Sequence, residues 1–578
     1  MNFIICFSVA VIVLVAAVIL ALRKRTNKLL IVGAGVFIAM FVLFIPAGSG
    51  GNITNAITEI IVPLVRSIRV FGLNEDFLVS EFDFGELPLW FNVTYICVLD
   101  LLYFVAPLLT FSLILSVFGN SFSKIRLVFS AFNDIYVFSE SNARSHSIAK
   151  DIAKNNPKAV IVFYNTENKP SDKKVIAFNS SITEISHFVL RFSKHITFFI
   201  CSDDEDDNIR CTADMLKIVG ACNGLAEKLK KNIKTNEGID LYYFSTHNKS
   251  VSIFNNVDNH GVRVRKINEI QDVIYNFMYN KPMLNYVDSS KKQINLAVIG
   301  AGSYGEEFVK AALWSGQDLR YKLNINVFDI KPIKEQFSIN YPELVNTEML
   351  WDCNEINYKI KFFDNRDVFE TKIEDISEMK SVRVVFVALG DNNKNYEASV
   401  YLRECFSRMG IKPEIYTITT DANLKDKEIT TYKKEESYEI GFIYPHDIFS
   451  CQDRKVLEEM GKRLFAEWNG KKLSENNGDY SDFYHFDFHY RSSVAAAMFW
   501  DIRQRLYGNV KVTDENKRLE HWRWNAYTRT EGYRYGEPRD NIAKLHNNLK
   551  PYDELDEETK KFDEYPIRAA MSTGKRKK

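Results

Sequence analysis

The chain has 578 residues, 46% of them hydrophobic, so several folded units rather than one are expected. Its 74 Lys and Arg balance 74 Asp and Glu, which excludes nucleic-acid binding driven by net charge and leaves no expectation of direct contact with a DNA or RNA duplex. The eight cysteines are scattered, without a close pair or histidines at zinc spacing. Reduced thiols in a cytosolic body and no metal site are therefore expected.

Three apolar runs open the chain, at 3–22, 29–47 and 93–118. Each is long enough for a helix that crosses a hydrocarbon core of about 30 Å. The first lacks the basic start of a signal peptide. Arg23, Lys24, Arg25 and Lys28 lie between the first two runs. Glu59, Glu75, Asp76, Glu81, Asp83 and Glu86 outweigh Arg66 and Arg69 between the second and third, and Lys124 and Arg126 follow the third. The positive-inside rule then predicts a transmembrane domain over 1–122, with the N-terminus outside and the large C-terminal region cytoplasmic. This is the topology of a multi-pass protein of the bacterial inner membrane, in contact with lipid. The stretch 57–73, with Pro63 inside it, reads either as an interfacial or re-entrant helix or as a packed outer loop. Asp100 falls within the third run. It is either a functional carboxylate in an ion path or a group that reaches the outer interface.

From Asp134 the pattern becomes βαβ and predicts a parallel-sheet domain over 130–285. Its phosphate loop is abnormal. Ser139, Ser141 and Arg144 stand at the three glycine positions, and the second strand ends at Asn165 where a carboxylate would grip a ribose. Either this unit has lost nucleotide binding, or Ser139, Ser141, Arg144 and the helix N-terminus hold another anion.

A second unit, over 290–445, is regular. The strand "INLAVIG" leads into Gly300, Gly302, Ser303, Tyr304 and Gly305, then a helix, then a strand that ends in Asp329. That order fits a dinucleotide fingerprint, with glycines for close approach to a pyrophosphate and the acid for a ribose. The expected ligand is an adenine nucleotide: NAD(H), ATP or ADP, or a nucleotide second messenger. A polar turn at Gly390, Asp391 and Asn395 falls at the carboxyl edge of the same sheet, where ligands bind.

The stretch "ALGDNNKNYEASVYLR", and more loosely "CSDDEDDNIRCTADML", resembles the TrkA-N domain, called RCK in channels. The resemblance covers about 134–420 as two copies. It implies a nucleotide-sensing regulator beneath membrane segments rather than a catalyst. No histidine in these units has an evident partner for hydride-transfer chemistry, so catalysis is not expected.

Residues 446–512 read as a helical connector. Beyond it, Glu520-His521-Trp522-Arg523-Trp524, the turn Gly532-Tyr533-Arg534-Tyr535-Gly536, Arg539-Asp540, the run "HNNLKPYDEL" from His546 to Leu555, and Lys560, Lys561 and Asp563 closely resemble the RyR domain of ryanodine receptors. This covers 513–570. The resemblance implies a small all-α module that recognises nucleotide-like ligands and recurs in antiviral defence. The candidate ligand set is His521, Trp522, Arg523, Trp524, Tyr533, Arg534, Tyr535, Arg539 and His546. Aromatic faces would stack a base and arginines would fork onto phosphates. The alternative is that the aromatics close a small core and the arginines pair with Glu520, Asp540 and Asp553. Arg491, Ser492 and Ser493 stand at a helix start that would complete a pocket. The tail 571–578 reads as a disordered basic end.

The fold class expected is thus three spanning α-helices, two tandem Rossmann-like α/β domains and an RyR-like module. The expected function is a membrane-anchored nucleotide sensor, acting as a ligand-gated channel or membrane-disrupting effector. Three helices per chain do not enclose a pore, so a homo-oligomer, dimer or tetramer, is expected. The alternatives are a regulator of potassium transport and a membrane-tethered NAD(P)-dependent oxidoreductase. The absence of a TVGYG filter argues against an ordinary potassium channel.

Overall fold

The computed structural model describes residues 2–23, 28–48, 55–72, 82, 84–85, 87–130, 132–166, 175–232, 238–246, 258–345, 357–421, 439–469, 483–484, 487–508 and 510–574. The chain divides into two compact units, Met1–Arg126 and Leu127–Lys578. The acidic residues from Glu75 to Glu86 that set the predicted orientation lie outside the described residues, as do Lys24, Arg25 and the end of the basic tail.

The first unit is helical. Among the described residues, two helices, not the three expected, carry stretches long and apolar enough to cross a membrane: Phe3–Ala21 and Leu89–Phe111. The apolar run at 29–47 instead forms the 17-residue helix Lys28–Phe44 and then the 3₁₀ turn Ile45–Gly48. At 1.5 Å per residue that helix is about 25 Å long, short of a core of about 30 Å. It packs closely on the first helix, since a Cβ on Gly35 would lie 2.3 Å from that of Ala17. Tyr95 ties the Leu89–Phe129 helix to its far end by donating to the Leu43 carbonyl at 2.6 Å. Asp100 is exposed in the single chain. The stretch 57–73 falls in the amphipathic helix Asn55–Phe71, with Ile60, Ile61, Leu64, Val65 and Ile68 exposed and Val70 buried.

The second unit holds two parallel sheets. In the first, β1 (Asp134–Phe138), β2 (Val160–Phe163), β3 (Val175–Ala177), β4 (His195–Ile200), β5 (Gly238–Phe244) and β6 (Arg263–Ile267) lie in the order β3-β2-β1-β4-β5-β6. The second adds a short antiparallel β7 (Val287–Asp288) beside β8 (Gln293–Ile299). Its main path, with β9 (Lys322–Phe328), β10 (Tyr358–Phe363), β11 (Val384–Val387), β12 (Glu414–Ile418) and β13 (Ile440–Ile443), runs β10-β9-β8-β11-β12-β13. Both sheets therefore have the 3-2-1-4-5-6 order of the doubly wound Rossmann fold, with a switch point between their first and fourth strands. The central strands are apolar runs such as "VVFV", buried along their length, because helices cover both faces.

Helices Cys451–Trp468, Asp487–Tyr507, Asp514–Thr530 and Glu564–Gly574 pack together at the C-terminal end. The RyR-like segment is not all-α. Gly532, at φ +83°, reverses the chain, and β14 (Arg534–Tyr535) pairs with β15 (Leu545–His546). The alternation "YRYG" after a glycine suits a short extended pair better than a helix. Trp314, fully buried on helix Ser303–Ser315, meets Tyr275 edge-on at 5.1 Å and Tyr527 at 6.0 Å. The Rossmann core and the helical module thus share one indole.

Candidate functional site

At the switch point of the second sheet, Gly300 follows β8 at φ +87°. A Cβ there would lie 2.4 Å from the Ala388 carbonyl oxygen. Gly305 is equally constrained, since its Cβ would meet the Gly300 carbonyl oxygen at 1.9 Å. Gly302 differs. Its φ is ordinary, no atom stands within 4 Å of its virtual Cβ, and it starts helix Ser303–Ser315 without a side-chain cap. Gly300 and Gly305 build the turn, and Gly302 leaves room beside the first N–H groups of the helix, an arrangement suited to an anion. Ser303 is exposed there. Tyr304 is partly buried, and burial, then the Glu269 carboxylate, raises its phenol.

Asp329 closes the loop from the end of β9. It accepts the Ala301 N–H at 2.8 Å and the Lys331 N–H at 2.9 Å. On the other side of the crevice, Gly390 has φ +83° and open space about it. Asp391 and Asn395 are committed to the backbone. Asp391 caps helix Asn392–Arg408 through the Lys394 N–H at 3.0 Å. Asn395, 2% exposed, accepts the Leu389 N–H at 2.7 Å and donates to the Ile418 carbonyl at 2.9 Å. The glycines face the crevice, and these two polar side chains hold its rim.

At the carboxyl edge of the first sheet, Ser139, Asn165, Ser180 and Ser202 line a cavity of about 400 Å³, while Arg144 is held by its own chain. Arg144, at the start of helix Ala143–Asn155, reaches across the β1–β4 switch point. It donates to the Cys201 and Ser202 carbonyls at 3.3 and 3.0 Å. Its Nε and Nη2 fork onto Glu269 at 3.0 and 2.7 Å. Burial alone would raise the Glu269 carboxyl, but hydrogen bonds from His446 and Arg144 outweigh it and hold that carboxyl below the usual range. Ser139 Oγ accepts the Cys201 N–H at 2.9 Å, and Ser141 Oγ meets His146 Nε2 at 3.0 Å. The three groups expected to hold an anion are thus engaged within the chain, and the arginine charge is neutralised by a fork-shaped pair.

A cavity of about 320 Å³ lies in the C-terminal helical region. Five of the nine residues singled out there line it: His521, Arg523, Trp524, Arg539 and His546. The Trp524 ring lies 4.8 Å from His546 and is tilted 24° from His521. Trp468, Phe465, Phe488 and Phe562 supply further aromatic wall, and Ser492 and Ser493 also line it. Arg491 does not. It forks onto Glu531 at 3.1 and 3.2 Å and pairs with Asp487 at 2.7 Å.

The polar groups of this cavity are largely buried. Arg523, 1% exposed, donates through Nε and Nη2 to Glu520 at 2.9 and 2.7 Å, and Trp500 Nε1 donates to the same carboxylate at 2.7 Å. Asp563 lies 3.6 Å from His521 Nδ1. Burial, and then the Glu520 carboxylate, push the Asp563 carboxyl well above the usual range. Burial lowers His521 to about 4, which its bond to the Lys550 carbonyl at 2.7 Å only partly offsets. Burial and then the Arg539 charge lower His546 to about 4.

Trp522, Tyr533, Arg534 and Tyr535 are not among the lining residues. Tyr533 stands behind the wall, 5.4 Å from Phe488. Arg534 is exposed on β14, and Tyr535 donates its N–H to Glu343 at 2.7 Å and its hydroxyl to Glu537 at 3.0 Å. The pairing alternative holds for Arg523 and Glu520. Asp553 pairs instead with Arg518, and Asp540 accepts the backbone N–H groups of Ile542 and Ala543. Sequence reasoning missed Phe465, Trp468 and Phe488. Helix Cys451–Trp468 has ordinary aromatic content and gave no signal for Phe465 or Trp468; only Phe488 lies in an aromatic-rich helix, Asp487–Tyr507.

The strand order of both sheets and the glycine loop define the class: a chain with two Rossmann-like α/β domains, one carrying an open phosphate-type loop. No family model matches the sequence, and no curated protein matches it. Among solved structures, the chain aligns at 12% identity with the crystal structure of one of the subunits of dipicolinate synthase from Bacillus halodurans. That alignment covers 54% of this chain and 89% of the other, with a TM-score of 0.20.

Proposed function

We propose that this protein is a membrane-anchored sensor of a nucleotide-type ligand, in which a cytoplasmic body controls helices in a bacterial inner membrane. The observation that carries this reading is the aromatic-walled cavity around Trp524, with Arg523, Asp563 and Arg539 converging on it. Ligand pockets join apolar walls to a few placed polar groups in this way. The resemblance to TrkA-N/RCK and RyR modules supports the same reading, as does the open glycine loop at Gly302, which suits an adenine nucleotide.

The membrane arm rests on the two apolar helices, with Lys28–Phe44 as a third, partly inserted, element. The exposed residues Val93, Cys97, Asp100, Leu101, Phe104, Leu108 and Phe111 form one stripe at helical spacing on the Leu89–Phe111 stretch. A carboxylate on such a stripe is unfavourable against lipid and favours a second copy or an aqueous path. On this reading the protein works as an oligomeric, ligand-gated channel or membrane-disrupting effector, in antiviral defence or ion homeostasis.

The test is direct. Purified full-length protein is examined by native mass spectrometry against NAD(H), ATP, ADP and cyclic oligonucleotides, and in dye-loaded liposomes with the same panel. Binding without turnover, leakage on ligand addition, and loss of both in Trp524→Ala are expected. The glycine loop favours one rival, a membrane-tethered NAD(P)-dependent oxidoreductase. Turnover of a bound dinucleotide would establish that rival in place of the sensor.

A further inference from the structure

The buried end of the cavity is electrically neutral in the pairing observed. The Arg523 guanidinium faces the Glu520 carboxylate through two bonds of 2.9 and 2.7 Å, so its charge is not available to a phosphate. Among the buried polar atoms of its lining, Arg523 Nη1, a donor, and Asp563 Oδ2 make no hydrogen bond within the chain. Such atoms are rare in folded proteins and mark places where a ligand or an ordered water completes the bonding. The walls beside them are aromatic, with Trp524, Phe488 and Phe562 among the lining residues.

The mouth is different. Arg539 is exposed and donates through Nε to Asn541 at 3.2 Å, and among the described residues no carboxylate pairs with it. His546 accepts the Asn548 N–H at Nδ1 at 3.1 Å, which leaves the proton of the neutral ring on Nε2 as a donor. Positive charge from Arg539 therefore stands at the open end, the His546 donor lies buried along the wall, and the Arg523–Asp563 donor–acceptor pair stands at the closed end.

A planar ring with a hydrogen-bonding edge fits the closed end, and a phosphate fits the open end. The volume of about 320 Å³ is near the small limit of ligand pockets, roughly 300 Å³, and accommodates one nucleoside rather than a whole dinucleotide. We infer that the cavity binds a single nucleotide unit base first, with Arg523 and Asp563 reading the hydrogen-bonding edge of the base and Arg539 meeting the phosphate at the mouth. A larger nucleotide would insert one unit per cavity. This inference rests on the sensor reading above and specifies its ligand's orientation.

The experiment measures binding of adenosine, guanosine, cytidine, uridine and their 5′-monophosphates to the full-length protein in detergent, by tryptophan fluorescence and calorimetry. At least one nucleoside should bind, and its monophosphate should bind about ten-fold more tightly through the charge-assisted bond to Arg539. Arg539→Ala should erase that ten-fold advantage and leave the nucleoside affinity unchanged. Asp563→Asn should weaken nucleoside and nucleotide alike, by about ten-fold, and alter the base preference. Inorganic phosphate and ribose 5-phosphate should compete poorly.

Strong competition by ribose 5-phosphate, or a monophosphate advantage that survives in Arg539→Ala, would overturn the base-first orientation while leaving a nucleotide sensor in place. Nucleotide binding indifferent to Asp563→Asn would mean that water, not the base, completes those bonds, and would overturn the edge-reading role. If circular dichroism shows that Asp563→Asn does not fold, the Arg539 and competition arms decide. No binding of any nucleoside or nucleotide would remove the sensor reading and this inference together.

Discussion

Asn208 and Asn395 make the same bridge in the two α/β domains. Asn208 Oδ1 accepts the Ser202 N–H at 2.8 Å, and its Nδ2 donates to the Phe244 carbonyl at 3.0 Å, at the end of β5. Asn395 does this between Leu389 and Ile418, at the end of β12. Each latches the turn after the fourth strand to the tip of the fifth. Asn395→Ala and Asn208→Ala should each cost about 1–3 kcal/mol, the penalty for leaving buried backbone groups unpaired. Urea unfolding of each variant checks this, with nucleotide affinity of the folded fraction expected to stay within two-fold of wild type, about 0.4 kcal/mol.

The glycine loop separates structure from ligand binding at neighbouring positions. Gly305→Ala places a Cβ on the Gly300 carbonyl and should destabilise by about 1–3 kcal/mol. Gly302→Ala meets no protein atom and should change stability by less than about 0.5 kcal/mol. A dinucleotide that uses this loop should nevertheless lose affinity in Gly302→Ala, because the methyl group enters the space left for a pyrophosphate. Melting temperature and calorimetric titration on the two variants read the two effects apart.

In the first domain, Arg144→Ala leaves Glu269 with one fewer partner in a buried setting. Breaking such a pair costs about 3–5 kcal/mol. The double variant Arg144→Met with Glu269→Met removes both charges and should regain stability over either single change. Nucleotide affinity should not follow these changes, since Arg144 and Glu269 are engaged with each other and neither lines the cavity at this sheet edge. A double-mutant cycle in denaturant gives the answer.

Acid should loosen the C-terminal region. His521 and His546 are lowered from 6.5 to about 4 in the folded chain. Between those pH values the unfolded chain takes up protons that the folded chain refuses, so stability rises with pH across the window and is lost as pH falls through it. Each histidine contributes at most about 3 kcal/mol. Asp563, raised well above 3.8, has the opposite sign, because the folded chain keeps a proton that the unfolded chain releases. Thermal unfolding of wild type from pH 7 to 4 should show the loss. His546→Gln should flatten the curve, and Asp563→Asn should steepen it.

Much of the α/β architecture was legible because its causes are local. The runs "DIYVF", "LAVI" and "VVFV" read as buried strands, and the spacing of Gly300, Gly302 and Gly305 read as a phosphate-type loop between strand and helix. The engagement of Arg144 was not legible, because it finds Glu269 across 125 residues of sequence. In the membrane unit, apolar composition did not locate the end of the second helix. Pro46 and Gly48 stand in the 3₁₀ turn that shortens it. At the cavity, Trp524 and His546 could be read from the RyR-like segment, but Trp468 and Phe488 come from helices that reach the site only through tertiary packing.

Trp314 imposes a ruler on the chain. Its indole is wedged between Tyr275 and Tyr527, while Gly305 fixes the other end of the same helix at the crevice. Inserting or deleting one residue between them would swing the indole by about 100° around the helix axis, out of both contacts. Evolutionary changes of length should therefore collect outside the eight residues between them, whose number keeps the crevice in registry with both tyrosines.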